Sequence, residues 1–127
     1  MSYKLLIIEQ SAQSLKEINV SALSGEGFKL ATCSDPLGVL ASLGELKPDL
    51  IILGEGLPVD GFEICYQLRQ MVDVPILMMG TVPHATGWVK AVKSGADCYL
   101  EKPISCSELV ARMKAILRRC KWTLEKE

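Results

Sequence analysis

The stretch LIILGEGLPVDGFE, residues 50–63, decides the fold. Its first four residues are all apolar, which predicts a strand buried on both faces. The glycine-rich turn that follows leads into a segment of helical periodicity over residues 61–70, so the stretch is one β-α unit. In a sheet wrapped by helices, ligands and reactive side chains gather beyond the carboxyl ends of the strands. Here the strand runs out on Gly54, which has no side chain.

Working outward, four more apolar runs of similar length appear: YKLLII (3–8), FKLATC (28–33), VPILMM (74–79) and DCYL (97–100), beside DLIIL (49–53). Helical stripes lie between them. Ala12, Leu15, Ile18, Ala22 and Leu23 fall on one face, and Gly25 or Gly27 stops that helix. Asp35-Pro36 pairs an N-cap with a proline suited to the first turn, opening a helix through Leu46. A further helix over residues 84–94 closes at Gly95. Ser105 or Ser107 caps the last one, Ser105-x-x-Glu108 fits a capping box, and Leu109, Val110, Met113, Ile116 and Leu117 form its apolar stripe. Five β-α units with short, right-handed connections predict a doubly wound parallel sheet with helices on both faces, an α/β sandwich of three layers. The domain is expected over residues 1–120, with 121–127 a fraying tail or the start of a linker.

With 127 residues, 49% of them hydrophobic and 23% charged, the chain suits one globular domain. A net charge of −1 carries no electrostatic footprint for nucleic acid, so DNA contact is expected only through an attached domain. Four apolar residues before Glu9 are too few for a signal peptide or a membrane span, so a cytoplasmic protein is expected. The five cysteines include no C-x-x-C pair and read as reduced, packed thiols.

The motifs KPDLIIL, LPVDGFEICYQLR, VPILMM, SGADCYLEKP and ELVARMKAILRR, in this order, resemble the receiver domain of two-component response regulators over residues 4 to about 120. The resemblance implies the flavodoxin-like strand order 2-1-3-4-5. The last motif is similar to the final helix of receivers that precede a winged-helix DNA-binding domain, which implies that a linker starting at 121–127 leads to such an output domain. The resemblance implies a phosphoacceptor carboxylate ending the third strand, an acidic pair after the first that helps hold Mg²⁺, a hydroxyl ending the fourth, a lysine ending the fifth, and a rotamer-switching aromatic three residues before that lysine. In this chain those positions hold Gly54, Glu9-Gln10, Gly80, Lys102 and Tyr99. The lysine and the aromatic match; the nucleophile and the hydroxyl are missing, and one carboxylate of the acidic pair is an amide.

The expectation is therefore an atypical pseudo-receiver: no enzyme, no cofactor, Mg²⁺ binding lost, and signalling by protein contact, including transcription regulation through an attached domain. Two alternatives stand beside it. One is a displaced phosphoacceptor, for which Glu55 points to the wrong face of its strand and Glu9 is poorly placed; Thr81 is the candidate substitute for the missing hydroxyl. The other is a ligand-sensing module using the room left at Gly54 and Gly80. Glu9 is expected to pair with Lys102, Asp60 to cap the third helix, and His84 to lie on the surface. If the fourth helix buries Val89 and Val92, Trp88 lies at its margin. With Tyr99 close by, and Asp97 and Arg112 matching intersubunit salt-bridge positions of winged-helix relatives, the face of the fourth helix, fifth strand and fifth helix is the candidate interface for a homodimer or for a sensor or output partner.

Overall fold

Leu5 and Ile7 project to one side of the first strand, and Leu6 and Ile8 to the other, as the two-residue period of a strand requires. All four are buried, so this strand sits centrally with helices over both faces. The computed structural model describes residues 3–9, 20–33, 35–54 and 60–126. They form β1 (Tyr3–Ile8), α1 (Val20–Gly25), β2 (Phe28–Cys33), α2 (Pro36–Leu46), β3 (Leu50–Leu53), α3 (Gly61–Met71), β4 (Ile76–Gly80), α4 (His84–Lys93), β5 (Cys98–Glu101) and α5 (Cys106–Lys126). The sheet is parallel with order β2-β1-β3-β4-β5, as expected from the sequence. Residues 10–19, which include most of the first predicted helix, lie outside the described residues.

Strand alternation divides the interior into two layers. Leu5, Ile7, Leu50, Ile52, Leu77 and Met79 meet α1 and the apolar stripe of α5, Leu109, Val110, Met113, Ile116 and Leu117. Leu6, Ile8, Ile51, Leu53, Ile76 and Met78 meet α2, α3 and α4. Each fully buried Leu, Ile or Met contributes about 1.5–3 kcal/mol of hydrophobic stabilisation.

Local chemistry sets the helix ends. Asp60 accepts a hydrogen bond from the Phe62 amide at 2.9 Å and starts α3, as anticipated. Ser105 Oγ accepts from the Glu108 amide at 3.1 Å and starts α5. Asp35 occupies the N-cap of α2 but makes no side-chain capping bond there; the proline after it begins the helix. α5 continues to Lys126, so the segment expected to fray is helical in its backbone. A helix built on a capped start and a long buried stripe propagates readily through its polar last turns.

Arg69 joins α3 to the sheet. Its Nε donates to the Gly95 carbonyl (2.9 Å), one terminal nitrogen to the Val74 carbonyl (2.9 Å), and the other to Asp97 Oδ2 (2.8 Å). The same Asp97 oxygen accepts from the Ile76 amide at 2.8 Å, which fixes the starts of β4 and β5 together. No helix among the described residues is long and apolar enough to cross a membrane.

Candidate functional site

The carboxyl edge of the sheet gathers Glu9, Gly54, Gly80 and Lys102, the ends of β1, β3, β4 and β5. Hydrogen bonds set their register: Gly54 N–H donates to the Ile8 carbonyl (2.9 Å), Glu9 N–H to the Cys33 carbonyl (3.0 Å), and Lys102 N–H to the Gly80 carbonyl (2.7 Å). Gln10 and Glu55, and with Glu55 the loop to Val59, lie outside the described residues.

Glu9 is the buried charged side chain of the described core, only 2% exposed. It crosses from β1 to β3 and lies over the α-carbon of Gly54. A Cβ placed on Gly54 would overlap Glu9 Oε2 and stand 2.6 Å from its carboxyl carbon. The room that the sequence suggested for a ligand at Gly54 is thus taken by the chain's own carboxylate. The reason is length: glutamate reaches one methylene farther than aspartate, enough to cover a neighbouring strand that carries no side chain. Gly80 is buried, Thr81 is exposed, and Lys102 is half-buried. The Lys102–Pro103 peptide is cis.

Tyr99 is 2% exposed, and its hydroxyl donates to the Val82 carbonyl at 2.7 Å. Its ring fills the space under Gly87 so fully that a Cβ there would stand 2.9 Å from the phenolic oxygen and closer still to the ring carbons. One residue pair along, Glu101 Oε1 accepts from the His84 amide at 2.7 Å. A carboxylate at a helix N-terminus satisfies an orphan donor and opposes the helix dipole favourably. β5 and the residue after it therefore hold the β4–α4 connection at three points: Gly80, Val82 and His84.

This arrangement corrects the expected face of α4. Gly87 and Ala91 are the buried pair, whereas Val89 and Val92 are each 49% exposed and Trp88 is 41% exposed. The tyrosine ring beneath α4 leaves space only for small residues, which turns the large apolar side chains outward. His84 is exposed and stacks on Trp88 with ring centroids 6.0 Å apart. Asp97, expected at an interface, is engaged within the chain by Arg69 and the Ile76 amide. Arg112 is exposed on α5, close enough to Cys98 to favour its thiolate, although burial outweighs that and holds the thiol above its usual range. Gly87 was missed from the sequence alone, though its signal was present. A glycine inside a helix costs about 1 kcal/mol relative to alanine, so it calls for a local reason.

A sheet of this order, with a lysine and an inward tyrosine at its carboxyl edge, defines the receiver class of signalling domains. The family model for the response regulator receiver domain matches residues 5–114, and the chain belongs to that family. It is 39% identical over 120 residues to the DNA-binding response regulator MtrA of Mycolicibacterium paratuberculosis, covering 94% of this chain and 53% of that protein. It is 36% identical over 117 residues to the probable transcriptional regulator ycf27 of Guillardia theta, covering 91% of this chain and 46% of that protein. The chain thus spans about half the length of the curated relatives it matches. Among solved structures, a two-component response regulator from Clostridium difficile superposes with a TM-score of 0.85 at 29% identity, covering 94% of this chain and 98% of that one.

Proposed function

We propose that this chain is a pseudo-receiver: a receiver module that works by protein contact, without taking a phosphoryl group. The observation that carries the proposal is that β3 ends on a bare Gly54. Phosphoryl transfer to a receiver needs an oxygen nucleophile at that strand end. Gly80 adds no hydroxyl to hold a phosphoryl oxygen. Mg²⁺ requires several oxygen ligands in octahedral array, and Glu9, turned onto Gly54, is ill placed to supply one, so the proposal includes loss of the metal. Burial of Glu9 favours a nearby cation, and the proposal pairs it with Lys102 across the sheet edge.

The output surface in this proposal is the α4–β5–α5 face. Trp88, Val89 and Val92 present a contiguous apolar arc, a kind of exposure that marks association surfaces. A homodimer through this face, with Arg112 at its rim, is the partner arrangement proposed; since Asp97 Oδ2 is already committed to Arg69, the apolar arc supplies the centre. In the whole protein the module would control transcription through an attached DNA-binding domain, in keeping with the names of its relatives.

The test is incubation with acetyl phosphate and Mg²⁺, read by intact mass. No gain of a phosphoryl group is expected. An acyl phosphate mapped to the sheet edge would overturn the proposal. Light scattering across a concentration series tests the dimer, and Val92→Asp is expected to leave a monomer.

A further inference from the structure

The glycine at position 54 has no conformational cause. Among the described residues only Gly27 and Gly95 are glycines of positive φ, so the backbone at Gly54 is one that any L-residue adopts. The three atoms that a side chain there would meet first all belong to Glu9: Oε2, the carboxyl carbon at 2.6 Å and Cβ at 3.5 Å. Among the described residues, apart from its neighbours in the chain, nothing else comes closer than the last of these, which is ordinary van der Waals contact. What a side chain at 54 would have to displace is the carboxylate of residue 9, which is itself withdrawn from solvent.

We infer that Glu9 is a built-in plug, whose carboxylate occupies the place of the missing side chain on β3 and shuts the pocket. The inference rests on the proposal of a phosphorylation-independent receiver and deepens it, because the pocket is filled as well as lacking its nucleophile. The plug keeps a carboxyl group at the strand end while drawing it inward, over the α-carbon of residue 54 and away from an incoming phosphoryl donor or small acid. It also makes positions 9 and 54 interdependent. An aspartate restored at 54 meets Glu9, so the carboxylate of residue 9 has to turn aside before residue 54 can gain a side chain.

A double-mutant cycle on the chain tests this. Gly54→Ala adds a single methyl group, and Glu9→Ala removes the plug. In the presence of Glu9, Gly54→Ala has to displace the buried carboxylate and is expected to lower the thermal midpoint by a few degrees. In the Glu9→Ala background the same methyl is expected to be neutral or stabilising, since alanine loses less chain entropy on folding than glycine. Glu9→Asp, one methylene shorter, provides the same comparison should Glu9→Ala fold poorly. Equal destabilisation by Gly54→Ala in both backgrounds, or failure to fold in both, overturns the plug, because the methyl would then be meeting something other than Glu9. Those results leave phosphorylation independence standing, whereas a wild-type chain that gains a phosphoryl group refutes that proposal whatever the cycle gives.

Discussion

Gly87 and Tyr99 act as one unit at the residue scale. The ring lies where any side chain on residue 87 would begin, and the hydroxyl reaches the Val82 carbonyl only from that inward position. Gly87→Ala sets two effects against each other. Alanine favours the helix by about 1 kcal/mol, while expelling a buried aromatic and breaking its hydrogen bond costs more. The expected outcome is a less stable protein with Tyr99 turned towards solvent, seen in thermal unfolding and in the tyrosine ring resonances. A stabilised variant with unchanged tyrosine signals refutes the coupling.

Cys65 gives a second residue-scale prediction. Burial among apolar side chains raises its thiol to about 11, with the Arg69 guanidinium opposing and Asp97 reinforcing the shift. The unfolded chain releases this proton near pH 9, the folded one near 11, so the folded state binds more protons in between. The contribution is fully present below pH 9 and is lost as the pH rises towards 11. Stability measured by denaturant is expected to fall across that window, and Cys65→Ala to flatten the fall.

At the scale of elements, Arg69 has more consequence than its salt bridge suggests. Its pair with Asp97 is partly exposed, and exposed pairs contribute about 0–1 kcal/mol. Its bonds to the Gly95, Val72 and Val74 carbonyls add to that. Without the guanidinium these half-buried acceptors lose their partner, at about 1–3 kcal/mol. Arg69→Met is therefore expected to destabilise more than Asp97→Asn when both are compared by urea unfolding; the reverse order places the stabilisation in the ion pair. Gly95 sits in the same knot. At φ +98 a side chain there is strained, and a Cβ would meet Arg69 at 2.8 Å.

The α4 face also belongs to this scale. On an isolated helix, Val89 and Val92 are natural core residues, which is why they read as the inward pair from sequence. Gly87 and Ala91 took the inward stripe because the helix packs on a ring rather than on a flat sheet. The Lys90 ammonium lies 5.8 Å from the centre of the Phe62 ring and ties the opposite flank of α4 to α3. α4 is thus held by its small residues and by one flank, with Trp88, Val89 and Val92 left for a partner.

For the whole molecule, the expected behaviour is a single conformation. The β4–α4 connection, the segment that would move if a hydroxyl followed a phosphoryl group, is fixed by Lys102 N–H, Tyr99 Oη and Glu101 at once. Beryllofluoride with Mg²⁺ is expected to leave the amide spectrum of the chain unchanged. Shifts spreading from the sheet edge to α4 would show a switch still in operation.

The sequence by itself determined the strands, a parallel sheet covered by helices on both faces, and the helix start at Asp60, and it narrowed the last cap to Ser105 or Ser107, because periodicity and capping are local properties that need no partner. It also showed which functional positions carry glycine. Only the tertiary structure decided what those glycines face, and it alone gave Gly87 a role. Glu9 covers Gly54, and Tyr99 fills the hollow of Gly87, through contacts between segments far apart in the chain. A missing side chain appears in a sequence as an absence, and whether that absence is a hole or a space already filled depends on the length and direction of a neighbour that only folding brings alongside.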